Sequence, residues 1–495
     1  MYLDSPPDLS SGQRKTNGTI NDQHVEFTYS FDDNGKLLWQ VLDTGEESAL
    51  DSGNVITVIG GNGSNEKNAQ ESKVDHGTGF TILHMVTAQA TSEDGTLRFW
   101  FKSTRASGLP PAFLDEHLVS ACPAHFLPGR TQDQMLNVHV IVSTLSGTGL
   151  APAFLADLVK PTLSALGLSR NSYQVHETHS DQSVTELTRS VFLPRANKGI
   201  AQTIILLSGD GGMVDMINVL LSSRTSTAYV KPIVGLLALG TGNALAYSIN
   251  PNQDSTFGLA NIVRGIPHPL PTFTVRFSPG SVQLLDEGKR SESVPRAPIG
   301  DDGARLMYGA VVCSWGLHAS LVAESDTSEY RKYGAERFKK AAKELLSPSD
   351  GSPTHKYKGK VSLIKRTSAG REFWEPLNRR EHMYILATLV SNLEKTLTIS
   401  PSSKPLDGQL RLVHFGPIRG DEAMRIMEKA YHGGLHVEED AVGYEDIEGL
   451  LINFEEDDSR WRRVCVDGKI VRVNQGGWVE VRREPRDVVD VVGNF

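Results

Sequence analysis

Between residues 136 and 266 one pattern recurs: an apolar run of strand length, a glycine turn, then an amphipathic stretch of helix length. LNVHVIVST leads into Ser146-Gly147-Thr148-Gly149, and QTIILLS into Ser208-Gly209-Asp210-Gly211-Gly212. VGLLALG runs into Gly240-Thr241-Gly242-Asn243, and SYQVHETH is a further strand candidate. Strands alternating with helices need crossover connections, so the spacing predicts a parallel sheet covered by helices. In such sheets ligands sit beyond the carboxyl ends of the strands, where all three turns fall. The stretch APAFLADLVKPTLSALG carries Pro161, which is predicted to bend or divide its helix.

Glycine at these turns lets backbone N–H groups reach phosphate oxygens with no Cβ in the way, and a following helix N-terminus adds partial positive charge. A single such turn needs glycine only for its backbone angles. Three on one edge point to a phosphate ligand. GxxxxGK[ST] is absent, which excludes a P-loop, and GTGNAL does not satisfy GxGxxG, which argues against a nicotinamide-binding dehydrogenase. Asp210, an acid between glycines, is placed to take a proton from an attacking hydroxyl or to hold Mg²⁺ near a transferring phosphate. The alternative is an acid that stabilises its own turn. Asp215 follows about one helical turn later and either supports the site or favours the helix N-terminus.

The flanks read differently. Residues 1–23 are polar and are expected to form a disordered tail. From 24 to 130, VEFTYSF, LLWQVL, VITVIGG, FTILHMV and LRFWF are short strand runs between Gly, Asp and Asn turns, predicting a small β-rich module. From 270 to 485 strands dominate again, with helices expected near 330–346 and 421–432 and a disordered insert over 278–304. The expected fold is therefore α/β plus β: an N-terminal β-rich module, an α/β domain over 136–266 and a β-rich domain over 270–485.

Composition narrows the classes. A net charge of −9 argues against a general nucleic-acid binder. No apolar run approaches the roughly 18 residues of a membrane span, and the first residues lack an apolar signal core, so a cytoplasmic protein is expected. Cys122, Cys313 and Cys465 are odd in number and far apart, which argues against a disulfide framework, and no Cys/His cluster has zinc spacing.

SGDGGMVDMINVLL and PIVGLLALGTGNALAYSIN resemble the catalytic domain of the sphingosine kinase and diacylglycerol kinase superfamily, most closely its sphingoid long-chain base branch. CSWGLHASLVAESDTSEYRKYGAERF, DGQLRLVHF and VCVDGK resemble later segments of the same branch, so the likeness runs over about 136–480. The resemblance implies an α/β nucleotide domain of the diacylglycerol kinase and NAD kinase type, followed by a β-rich lipid-binding domain. It implies ATP and Mg²⁺ as cofactors, and transfer of phosphate to a primary hydroxyl of a sphingoid base. The protein is then expected to meet membranes peripherally. By the same resemblance Asp210 is the base, assisted by Asp215. ATP is held by Ser146, Gly147, Gly149, Ser208, Gly209, Gly211, Gly212, Gly240, Thr241, Gly242 and Asn243. Arg331 and Arg337 match phosphate-contacting positions, and Asp467 with Gly468 matches the VDGE segment, Asp467 as metal ligand.

Four positions depart from the family pattern. Its Asn-Pro before the first glycine loop is Ser143-Thr144, and its glutamate after GDG is Asp215. The aspartate used on the sphingoid head group falls at Val322, with Ser320 replacing a neighbouring acid. Lys469 replaces the carboxylate of VDGE, which is expected either to weaken metal binding or to put the lysine itself on phosphate. These departures keep open a ceramide or diacylglycerol kinase, and a catalytically weak lipid- or nucleotide-binding member of the family.

Overall fold

A computed structural model describes residues 15–30, 35–60, 79–89, 97–127, 136–144, 147, 149–250, 255–297, 303–334 and 336–495. The chain forms two compact units. One gathers Met1–Leu127, Pro152–Tyr173 and Asn252–Gly265; the other gathers Pro128–Ala151, Gln174–Pro251 and Ile266–Phe495. No helix among the described residues is long and apolar enough to cross a membrane.

The first unit is built on an eight-stranded sheet in the order Glu47–Asp51, Lys36–Val41, Gln23–Ser30, Thr16–Ile20, Leu97–Ser107, Phe80–Gln89, Val55–Gly60, Leu118–Val119. Alternation sets its inner face: Val25, Phe27 and Tyr29 of one strand point into the core beside Leu37, Val55, Ile82 and Phe113. Two expectations change here. Residues 16–23, read as part of a disordered tail, form a strand and a tight turn, with Thr16–Ile20 antiparallel to Gln23–Ser30. Asn21 and Asp22 both take positive φ, 45° and 68°, the conformation a two-residue hairpin needs and these residue types tolerate. Residues 1–14 lie outside the described residues. The unit also extends past 130: Phe99 meets Phe154 and Phe257 edge-to-face at 5.1 and 5.5 Å. Arg264 Nη1 lies 2.7 Å from His117 Nδ1 and donates to the Glu116 carbonyl at 3.0 Å.

Pro161 does not end its helix. A π-helical turn over Leu155–Val159 leads into the α-helix Lys160–Ala165, and the same device recurs at Thr188–Phe192 before Leu193–Asn197, which holds Pro194. Proline removes one N–H and crowds the carbonyl four residues back; the wider turn relieves that crowding.

The second unit holds a six-stranded sheet ordered Tyr173–Thr178, Val138–Ser143, Thr203–Ser208, Ile233–Ala238, Asp490–Gly493, Ile266–Pro269. Thr203–Ser208 runs parallel to both Val138–Ser143 and Ile233–Ala238, and Asp490–Gly493 is parallel to the latter. Val138–Ser143 is buried along its whole length, as a strand covered on both faces must be. Two larger sheets of mainly antiparallel pairs complete the unit, one of seven strands and one of eight. Their facing residues, among them Phe273, Phe277, Trp315, Leu363 and Val481, form a second core.

A single core also runs from the parallel sheet into the β-rich region. Ile204, Leu206, Met216 and Leu236 belong to one buried cluster with Tyr308, Val312, Leu386 and Phe415. Within the expected insert 278–304, Val282–Leu285 and Arg290–Ser293 form an antiparallel hairpin, and Val282–Leu285 pairs with Lys469–Arg472. The polar composition there belongs to an exposed sheet edge; residues 298–302 lie outside the described residues. A helix over Leu317–Ser325 was not anticipated, because LHASLVAES is too short and too evenly apolar to show a period.

Candidate functional site

The three glycine loops meet backbone to backbone. A Cβ on Gly240 would lie 2.4 Å from the Gly209 Cα, and one on Gly147 would lie 2.8 Å from the Gly240 Cα. Neither distance is tolerable for a real side chain, so these glycines are what lets the carboxyl ends of Val138–Ser143, Thr203–Ser208 and Ile233–Ala238 close on one point. Gly147 and Gly149 also take positive φ, 53° and 68°. Ser146 and Thr148 lie outside the described residues. Asn243 adopts the left-handed conformation and locks its own loop: its Oδ1 accepts from Gly240 N–H at 2.9 Å and its Nδ2 donates to the Gly240 carbonyl at 2.9 Å.

Other glycines at the same edge have no such duty. A Cβ on Gly211 would meet nothing within 4 Å, and one on Gly242 only the Leu393 carbonyl oxygen at 3.6 Å. A Cβ on Gly212 would lie 3.2 Å from Leu206 and Ser208 side-chain atoms, so this glycine belongs to the packing of the helix on its strand. The fold therefore needs Gly147, Gly209 and Gly240, whereas the surfaces at Gly211 and Gly242 are free for a ligand to approach.

Asp210 opens the helix Asp210–Ser222 directly after the second loop. Its Oδ1 accepts the Leu245 N–H at 3.2 Å, at the start of the helix Ala244–Ser248 that follows the third loop. Burial pushes its carboxyl up to about 6, opposed by the backbone N–H groups of Leu245, Ala244 and Ala246. The group is thus an acid that is half protonated near pH 6, a useful range for accepting a proton.

Asp215 lies further along the same helix. Burial raises its carboxyl, and Lys469 opposes the rise by donating to Asp215 Oδ1 at 2.6 Å. Asn218 ties the helix to the β-rich region: its Nδ2 donates to the Tyr308 carbonyl at 2.8 Å while its Oδ1 accepts the Tyr308 N–H at 3.0 Å.

Asp467 and Gly468 form the turn between Arg463–Val466 and Lys469–Arg472, at φ of 47° and 85°. The Asp467 carboxylate accepts the N–H groups of Ala310, Val311 and Val312 at 2.7, 3.1 and 2.6 Å. Burial pushes it up to about 7 against those three bonds, and the Asp210 charge adds to the rise. Its oxygens are engaged by backbone, so the geometry serves a turn clamp in place of the metal ligation expected from the sequence.

The side chains present build no cage of their own for a resident Mg²⁺. Among the described residues no three His, Cys, Asp or Glu side chains gather as a metal cage. Asp210 is turned to helix amides, Asp467 to strand amides, and Asp215 to an ammonium.

Arg337 does not join the loops through its closest partners. It pairs with Asp326 at 3.5 Å and lies over the Phe338 ring at 4.8 Å. Arg331 ends the short helix Ser328–Arg331. The segment around Ser391–Leu393 was missed by the sequence reading. Asn392 N–H donates to Ser248 Oγ at 3.0 Å, and Leu393 borders Gly242. The signal available was the polar SNLEKT directly after an apolar strand, which lacks the glycines that drew attention elsewhere.

A parallel sheet with glycine loops along one edge and an acid among them defines an α/β domain of the class that takes its ligand beyond its strand ends. The family is narrower. Residues 137–275 match the diacylglycerol kinase catalytic domain. The chain is 31% identical over 239 residues to sphingosine kinase 2 of Homo sapiens, covering 46% of this chain and 30% of that protein. It is 23% identical over 199 residues to sphingosine kinase 1 of Arabidopsis thaliana, covering 40% and 35%. The chain thus spans about a third of the length of the curated relatives it matches. Residues 137–275 are thus similar to the catalytic domain of the diacylglycerol kinase superfamily, and the curated relatives with which the chain shares most of that stretch are sphingosine kinases. A crystal structure of a diacylglycerol kinase from Bacillus anthracis strain Sterne superposes with a TM-score of 0.43 at 12% identity, over 72% of this chain and 97% of that one.

Proposed function

We propose that this protein is an ATP-dependent lipid kinase that phosphorylates a primary hydroxyl of a sphingoid long-chain base. The observation that carries the reading is the open glycine surface at Gly211 and Gly242, flanking a carboxylate whose affinity for a proton is raised. The loop glycines with Ser208, Thr241 and Asn243 hold the ATP phosphates through backbone N–H groups. Asp210 takes the proton of the lipid hydroxyl as the oxygen attacks the γ-phosphorus; the phosphoryl group passes to that oxygen and ADP leaves. Because no divalent-cation cage is formed by these side chains, no step is assigned to one.

The hydrocarbon tail of such a base needs an apolar slot. The β-rich region has a cavity of about 310 Å³ whose walls mix apolar Leu317, Leu345 and Met383 with polar Glu344, Asp350 and His355. Since the substrate resides in a bilayer, the enzyme works at a membrane surface from the cytoplasmic side.

One observation favours a second acceptor class. Glu324, a carboxylate on the cavity wall, is already paired with Arg460 at 3.3 Å and Arg463 at 2.9 Å. With that carboxylate neutralised, and with Val322 and Ser320 standing where the family pattern has acids, a neutral head group such as that of ceramide or diacylglycerol suits this chain better than an amine. Transfer from radiolabelled ATP to sphinganine, ceramide, diacylglycerol and NAD, measured side by side, decides. Label on sphinganine alone supports the first reading, label on ceramide or diacylglycerol the second, and label only on NAD defeats both.

A further inference from the structure

Transferring phosphate concentrates negative charge, and a protein must answer it with cations or aimed N–H groups. On the helix that follows the second glycine loop, Asp215 is paired with the Lys469 ammonium, and Asp467 feels the charge of Asp210. Lys469 lies two residues beyond Asp467. Its backbone is fixed, because the Asp467-Gly468 turn is pinned by three amides and Lys469 pairs across the hairpin with Val466. Its Nζ reaches Asp215 on the helix that Asp210 opens.

We propose that Lys469 is a phosphate ligand: its ammonium bridges Asp215 and a phosphate oxygen of ATP, in the place where a bound divalent cation would otherwise stand. The inference rests on the nucleotide site proposed above. An ammonium has three N–H donors, of which Asp215 takes one at 2.6 Å. The side chain remains 28% exposed, so the other donors are reachable from solvent. Gly468 beside it presents open space, since a Cβ there would meet nothing within 4 Å. A cation held between a carboxylate and a phosphate is the arrangement that metal ions provide in phosphoryl transfer. Here a side chain supplies it, and the carboxylates that could bind a metal are engaged elsewhere. Asp215 keeps the ammonium in place before ATP arrives and neutralises it while the site is empty.

The consequence is nucleotide binding that does not depend on Mg²⁺. Isothermal calorimetry with ATP, in EDTA and in Mg²⁺, tests this on the wild-type chain with no variant required. The expected result is an affinity in EDTA within about threefold of that in Mg²⁺. Lys469→Met is expected to weaken metal-free binding at least tenfold, with Lys469→Arg restoring most of it. Asp215→Asn, which frees the ammonium, is expected to tighten metal-free binding. Wild-type affinity that falls more than tenfold in EDTA overturns the proposal while leaving the nucleotide site standing. Unchanged metal-free affinity in a folded Lys469→Met variant overturns it as well. Absence of ATP binding in both buffers removes the nucleotide site itself, and this inference with it.

Discussion

Asp210 sits where burial resists its charge and helix amides support it, and burial prevails. Two outcomes follow at this one residue. With a carboxyl near 6, the fraction able to accept a proton falls as pH drops through that value. Transfer measured from pH 5 to 8 is expected to decline about tenfold per unit below pH 6 and to level off above it. Stability moves the other way. A folded-state value raised above the ordinary 3.8 favours the protonated form, so the contribution is present at low pH and is lost as pH rises through about 6. Asp210→Asn should therefore melt no lower than wild type at pH 8, while turnover drops about 10²–10⁴-fold as for the loss of a general base. A variant that loses melting temperature and activity together would mark Asp210 as a structural turn residue. At this scale the sequence was readable where chemistry is local. An acid between glycines after a strand marks Asp210. The partners of Asp467 and Lys469 were hidden, because Ala310 and Asp215 lie far from them along the chain and only the folded sheets bring them together.

Among the glycine loops, the structure separates positions that motif reading treats alike. Gly240 is wedged on Gly209, whereas a Cβ on Gly242 would make only an ordinary contact, with the Leu393 carbonyl oxygen at 3.6 Å. Gly240→Ala should force the second and third loops apart and destabilise by about 1–3 kcal/mol, the range for overpacking. Gly242→Ala should change stability by no more than about 0.5 kcal/mol, as for an unconstrained surface site. It should still weaken ATP binding, because the new methyl occupies the approach to the loop. Chemical denaturation and ATP titration on the two variants check the pair; equal destabilisation by both would contradict the distinction. Element identity was legible where the period was long and clean, as in Thr203–Ser208 followed by Asp210–Ser222. It was not legible in Val282–Leu285 and Arg290–Ser293. VQLL is too short to show alternation and RSES is wholly polar; they are strands because a neighbouring edge, Lys469–Arg472, offers unpaired N–H and C=O groups.

The second unit is one folding body despite its mixed architecture, since its parallel sheet and its β-rich region bury side chains in a common core. The strand Asp490–Gly493 is the clearest sign. It lies between Ile233–Ala238 and Ile266–Pro269, with Val488, Val489, Val491 and Val492 buried around it. The run DVVDVVG was available as a signal, but chain order suggested no link to a sheet whose other parallel strands end near residue 238. Deleting residues 487–495 is expected to leave the nucleotide sheet without that strand and to abolish a cooperative melt, as read by circular dichroism and scanning calorimetry. A truncated chain with an unchanged transition would show the strand to be dispensable.

That placement also bears on synthesis. While the ribosome is still adding the β-rich region, the edge of Ile233–Ala238 stands bare, a row of unpaired backbone groups beside apolar side chains. The nascent chain cannot finish its parallel sheet until Asp490–Gly493 emerges, so this edge stands open to self-association throughout that interval.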